Sequence, residues 1–201
     1  MEEHQDRIRK IVFVALFAAL ISVFGIISVP VPGTPIPIVL QNMLVILTSL
    51  ILGAKLGVLS VALFLFAGLI GLPVFSGGGG GLARILGPTG GFLYGYLLAS
   101  FTSGLIVGKS ETDKKTQILR LFVASFLGFA VLYIPGIIHF MLVLNKTFSQ
   151  TLKLAVLPYL IPDTAKACIA PLIAYPLKKN IKIVFNAQKT ADKDAKDESK
   201  Q

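Results

Sequence analysis

The chain has 201 residues, 54% of them hydrophobic and only 14% charged, with a formal net charge of +9 and a mean hydropathy of +0.79. A soluble domain carries about 25% charged residues, so this composition excludes one and describes an integral membrane protein. The single cysteine, Cys168, excludes an intramolecular disulfide and a multi-cysteine metal site, and it is expected to pack as a small apolar residue.

In chain order, apolar runs long enough to cross a hydrocarbon core of about 30 Å predict an all-α fold of six transmembrane helices. "MEEHQDRIRK" mixes both charges, and no small-residue cleavage pattern closes the run behind it. That run, about 8–28, therefore reads as the first span and not as a removable leader. After "VPVPGTPIP" a second span covers about 37–54, and a short "GAKLG" turn leads to a third at about 56–72. The stretch "GLPVFSGGGGGLARILGPTGG" follows, and a fourth span runs from it to about 108. "KSETDKK" separates the fourth from a fifth at about 117–143, and a sixth at about 150–177 is interrupted by "LPYLIPD". This gives one membrane domain over 1–180 and a charged tail over 181–201, whose composition predicts disorder.

Arg7, Arg9 and Lys10 precede span one, Lys55 lies between spans two and three, and Lys109, Lys114, Lys115 and Arg120 lie between four and five. A run of lysines follows span six, whereas the opposite side and the spans hold only Arg84, Lys146, Lys153 and Lys166. The basic side is cytoplasmic, so both termini are predicted there and the glycine-rich loop is predicted outside. The net charge thus reflects membrane topology, with no call for a nucleic-acid partner.

Asp163 is the one acidic residue in or near a span, and Lys166 follows three positions later, which places both on one helix face. Ionisable groups at membrane depth are costly and usually serve a cavity, a partner or a path; ligand contact is the favoured reading over a purely mutual ion pair. Arg84 lies outside, where topology does not require a cation, and its guanidinium fork suits a carboxylate. The five glycines ahead of it, Gly77 to Gly81, allow backbone to approach a ligand closely. Gln41 and Asn42 open span two, and Tyr94 and Tyr96 open span four; either pair is placed to line an outward pocket, although interfacial anchoring is expected of at least one tyrosine.

Small residues recur four apart at Ala15/Ala19, Gly53/Gly57, Gly91/Gly95 and Gly104/Gly108, and such pairs let helices approach closely. The ending of "SGLIVGKS" suggests a phosphate loop, but Ser103 occupies the place of the first required glycine and the segment closes an apolar run. "NKT" at Asn145 is too short a pattern to carry weight. An intramembrane enzyme would need a paired acid, a metal set or an activated nucleophile. One carboxylate and one in-span histidine, His139, are thin material for that, and His139 reads as a hydrogen-bonded packing residue. These groups fit a small ligand with one carboxylate and an amide-like or urea-like part. The chain carries no energy source of its own, so uptake would need ion coupling or a partner ATPase, and the missing rows of buried charge favour the partner.

The stretches "GLIGLPVFSGGGGGLARILGPTGGFLYGY", "PIPIVLQNMLVILTSLILGAKLGVLSV", "YIPG" and "LPYLIPDTAKA" resemble the BioY family, the biotin-binding substrate-capture (S) components of energy-coupling factor (ECF) transporters. The resemblance runs from about Ala15 to Lys178. It implies a six-helix S-component bundle in a prokaryotic plasma membrane, with biotin bound near the extracytoplasmic surface. It implies no cofactor in this chain, but a transmembrane coupling subunit and two cytoplasmic ATPase subunits that use ATP. By the same resemblance Arg84 meets the valerate carboxylate, Asp163 accepts from ureido N–H, and Lys166 donates to the ureido oxygen, with Gln41 and Tyr94 as further contacts and the role of Ser76 open. Ala15 and Ala19 would form the face on which span one docks to the coupling subunit. Capture of another carboxylate-bearing vitamin is the alternative.

Overall fold

The structure, a computed structural model, describes residues 2–108 and 113–198, with side chains described over 4–108 and 113–180. Lys109, counted above for topology, lies outside the described residues. Helix α1 spans Glu2–Ile26, and the strands β1 (Ser28–Val29) and β2 (Ile38–Val39) follow it. Helix α2 (Gln41–Leu69), a 3-10 turn at Ser76–Gly78, α3 (Leu82–Leu86) and α4 (Gly90–Val107) come next. The chain ends with α5 (Lys114–Leu144), α6 (Phe148–Ala155) and α7 (Leu157–Glu198). Four helices among the described residues are long and apolar enough to cross a membrane, and a fifth results if α6 and α7, bent by 52° at their junction, form one span.

The four prolines between 30 and 37 remove backbone donors and forbid helix, so the chain leaves α1 as an extended loop. Antiparallel pairing of Ser28 with Val39 and of Val29 with Ile38 closes that loop against the start of α2.

Helix α2 is interrupted at Gly53, whose φ of 79° and ψ of 179° are not helical. A straight helix would hold Ser49 and Gly57 about 12 Å apart, at about 1.5 Å per residue. Instead a Cβ on Gly57 would lie 2.5 Å from Ser49 Oγ and 3.0 Å from Ser49 Cα. The two halves of α2 therefore fold back on one another, and Gly53 supplies the left-handed backbone for the reversal. The turn expected over "GAKLG" is concentrated at its first residue.

The interruption expected within "LPYLIPD" lies just ahead of it, at Val156 between α6 and α7. Pro158 occupies the first turn of α7, where a missing N–H removes no hydrogen bond, and Pro162, Pro171 and Pro176 are carried inside the helix. The α7 backbone continues helical to Glu198; the tail side chains of 181–201, where disorder was expected, lie outside the described residues.

At the bundle centre α4 packs against α2 and α5, while α1 lies on α2 and α7 on α2 and α5. The contacts are close because the facing residues are small. Ser49 and Ser100 share a 2.6 Å hydrogen bond, and Ser103 Oγ donates to the Ala124 carbonyl at 2.9 Å. Interhelical bonds of this kind keep buried hydroxyls satisfied where no water is at hand. Asp113 caps α5 by accepting from the Lys115 and Thr116 amides. Hydrogen bonds from Thr116, its side chain first, hold the Asp113 carboxyl below its usual range.

Candidate ligand-binding site

Asp163 and Lys166 lie one turn apart on α7 and are 7% and 6% exposed. Lys166 Nζ donates to Asp163 Oδ1 at 2.8 Å, to the Val39 carbonyl of β2 at 2.7 Å and to Asn42 Oδ1 at 3.2 Å. Asn42 Nδ2 donates to Asp163 Oδ1 at 3.0 Å, and the Tyr133 hydroxyl donates to Asp163 Oδ2 at 2.6 Å. Helices α2, α5 and α7 thus meet at one carboxylate. A lone buried charge would be costly; the ammonium and two neutral donors compensate this one.

A cavity of about 60 Å³ opens against this cluster, several times the roughly 10–15 Å³ that one water requires. Arg84 lines it together with Asn42, Asp163 and Lys166, and Phe75, Phe92 and Leu93 supply apolar wall. Arg84 is exposed, and among the described residues its guanidinium has no carboxylate within 4.0 Å. An unpaired guanidinium and a buried carboxylate therefore face one space, contributed by segments far apart in the chain.

The glycine run shapes this arrangement. Phe75 plugs into the core, 1% exposed and edge-on to Phe64 at 5.5 Å. The chain then turns back so that Phe75 N–H reaches the Gly79 carbonyl at 2.8 Å. A Cβ at Gly79 would lie 2.4 Å from Arg84 Nε, so only glycine leaves the guanidinium its place. The segment is a packed turn that positions an arginine.

The sequence-predicted residues divide. Arg84, Asp163, Lys166 and Gln41 line the cavity, as does Ser76. Gln41 is fully buried, and its Nε2 donates to the carbonyls of Ile21 at 3.1 Å and Val74 at 2.9 Å. It ties α1 to the loop that carries Phe75. Tyr94 is not among the lining residues: it is 41% exposed, its hydroxyl donates to the Ile85 carbonyl at 3.4 Å, and its ring stands edge-on to His139. One helical step of two residues puts Tyr96 on the cavity face instead. His139 Nε2 lies 3.0 Å from the Gly87 carbonyl, a packing contact. Ala15 and Ala19 are exposed on α1, in a row with Ile8, Val12, Val23 and Ile26.

A family model described as the BioY family matches residues 1–183. The chain belongs to the BioY family. It is 40% identical over 172 residues to a protein named probable biotin transporter BioY from Pyrococcus horikoshii, covering 86% of this chain and 98% of that one. It is 34% identical over 174 residues to the biotin transporter BioY of Thermotoga maritima, covering 85% and 96%. Among solved structures it matches the S-component for biotin from an ECF-type ABC transporter, with a TM-score of 0.77 and 29% identity over 87% of this chain and 93% of that one. This BioY chain is accordingly a multi-pass membrane protein with an S-component-like fold.

Sequence reasoning missed Tyr133 and Tyr159 as parts of the site. Tyr133 holds Asp163, and the Tyr159 hydroxyl reaches Thr34 Oγ1 at 3.1 Å and the Ile36 carbonyl, pinning the proline-rich loop to α7. The available signal was a tyrosine hydroxyl placed within an apolar run, which needs a buried partner.

Proposed function

We propose that this BioY chain captures biotin at the extracytoplasmic surface of a prokaryotic plasma membrane. It acts as the substrate-binding component of an energy-coupling factor transporter. The observation that carries the reading is the joint placement of Arg84 and the Asp163–Lys166 pair around one cavity. Biotin carries a carboxylate on a flexible apolar chain and a cyclic urea at its other end. A guanidinium suits the carboxylate, a buried carboxylate suits a ureido N–H, and the Phe75, Phe92 and Leu93 wall suits the apolar part between them. Lys166 orients Asp163 through their hydrogen-bonded pair, and Gln41 holds the loop that carries Phe75. Ser76 faces the same cavity without an assigned contact.

Six spans with both termini cytoplasmic follow from counting the halves of α2 separately and α6–α7 as one span. The reversal at Gly53 and the distribution of basic residues support this count. It puts the cavity end outside and the lysine-rich segment from 178 onward inside, as a tail to the membrane domain 1–180. Energy then comes from partners: a transmembrane coupling subunit and two ATPase subunits, met along the exposed Ala15/Ala19 face of α1.

The test is equilibrium binding of biotin to the purified protein in detergent, beside Arg84→Ala and Asp163→Asn. Hydrogen bonds to charged groups contribute about 1.5–3 kcal/mol each, so each variant is expected to lose roughly ten- to hundredfold in affinity. A folded wild-type sample that ignores biotin rejects the reading.

A further inference from the structure

Arg84 and Lys166 belong to the cavity, but the other two cations placed away from the basic surface, Lys146 and Lys153, do not line it. Outward cations run against the usual charge bias of membrane proteins, and both of these are exposed. Between residues 114 and 191 the one acidic residue is Asp163, which Lys166 already holds at 2.8 Å. Among the described residues neither Lys146 nor Lys153 has a carboxylate within 4.0 Å. Their counter-charge has to come from outside the chain.

Both lysines flank α6, and its geometry turns them away from the bundle. Asn145 ends α5 in the left-handed conformation, and the reciprocal Thr147–Gln150 capping box starts α6, so Lys146 lies on a short, defined connection. Thr151 and Ala155, four apart on α6, are fully buried and mark its packed face. Lys153 is two positions from each, which on a helix is the opposite face. Phe148 is exposed at the start of α6, and beyond Lys153 the exposed side chains are Leu157, Leu160 and Ile161. Ile161, at 83%, is the most exposed large apolar side chain among the described residues; within a span such a group meets acyl chains. The segment joins an aromatic ring, lipid-facing aliphatic groups and two ammonium groups, as a helix seated at headgroup level does.

We infer that Lys146 and Lys153 bind the headgroup of an anionic phospholipid in the outer leaflet, with Phe148 against its acyl chains. The assignment goes beyond ligand capture and rests on the topology that puts α6 outside. Helix dipoles give the rival account, since Lys146 follows the end of α5 and Lys153 stands in the last turn of α6, where a cation is favoured. That attraction is the same in any lipid, whereas a headgroup site separates lipids by charge.

The chain has no tryptophan, so Phe148→Trp supplies a single fluorophore beside both lysines. This protein is reconstituted in vesicles of equal parts phosphatidylcholine and phosphatidylglycerol, with the acyl chains of one lipid or the other brominated. Bromine quenches tryptophan at contact, so the two quenching levels report which lipid adjoins α6. Phosphatidylglycerol is expected to be enriched there by roughly fivefold for each lysine engaged. Lys146→Gln and Lys153→Gln should each lower the enrichment, the double variant should bring it close to one, and high salt should do the same. Lys55→Gln, an exposed cation at the α2 reversal, should leave it unchanged. Equal quenching by the two lipids, enrichment that survives the double variant, or no quenching by either lipid overturns the assignment. Biotin binding by the double variant is expected to match wild type, so this test and that of biotin capture fail independently. A fall in biotin affinity with the lipid enrichment intact would give the cations to the ligand and also overturns it. The side is tested on its own: in whole cells, Ser149→Cys in a Cys168→Ala background should react with a membrane-impermeant maleimide. Reaction only after permeabilisation would put α6 inside and overturn the outer-leaflet site.

Discussion

Arg84 and Asp163 contribute opposite charges to one cavity but stand in different surroundings, and that separates what their loss should do. Arg84 is exposed and has no carboxylate partner among the described residues. Its replacement by alanine leaves nothing buried unpaired, so stability should move by about 0.5 kcal/mol or less while biotin affinity falls. Asp163 is buried and bonded to Lys166, Asn42 and Tyr133. Asp163→Asn strands the Lys166 ammonium without its counter-charge, and breaking a buried pair in this way costs about 3–5 kcal/mol. Thermal unfolding in detergent should therefore separate the two variants that binding alone would group together. Equal melting temperatures would show that the Lys166 ammonium finds other partners when Asp163 is neutralised.

Glycine decides how closely the elements of the bundle approach. A Cβ on Gly104 of α4 would stand 2.3 Å from Ala54 N and 2.4 Å from Ala54 Cα, at the reversal in α2. Those neighbours are backbone atoms and cannot rotate away, so Gly104→Ala must push α4 off the fold-back. Overpacking of this kind costs about 1–3 kcal/mol, and the melting temperature should fall accordingly. Because Gly104 lies well along α4 from the cavity-lining residues Phe92, Leu93 and Tyr96, the folded fraction should keep more of its biotin affinity than Asp163→Asn does. A variant as stable as wild type would mean that the fold-back can shift without loss.

At the scale of the whole molecule, the cavity and the exposed face of α1 are distinct surfaces joined through Gln41, which lines the cavity and bonds the Ile21 carbonyl of α1 and the Val74 carbonyl of the loop that carries Phe75. Small residues allow close helix contact in lipid, where no hydrophobic force drives helices together and packing must do so. Ala15→Leu with Ala19→Leu adds bulk only to this exposed face. Biotin binding by the isolated protein should be unchanged. Co-purification with the coupling subunit, and biotin uptake by cells making the full transporter, should drop. Undiminished uptake would move the docking face elsewhere on the bundle.

The sequence by itself determined the membrane class, the family and the pairing of Asp163 with Lys166, because these depend on local signals. Apolar run length reflects the thickness of a bilayer, and a spacing of three reflects the turn of a helix. It also pointed to Arg84, through a cation where topology asked for none. Only the tertiary structure decided that Arg84 and Asp163 share a cavity. It also decided that Tyr96 faces that cavity while Tyr94 turns away, and that Tyr133 and Tyr159 belong to the site. The commitments of the Lys166 hydrogens were likewise illegible beforehand, since their acceptors at Val39 and Asn42 come from segments distant in sequence. Packing sets such contacts through the register in which helices meet, and a reversal at a single glycine, Gly53, changes that register for everything that follows it.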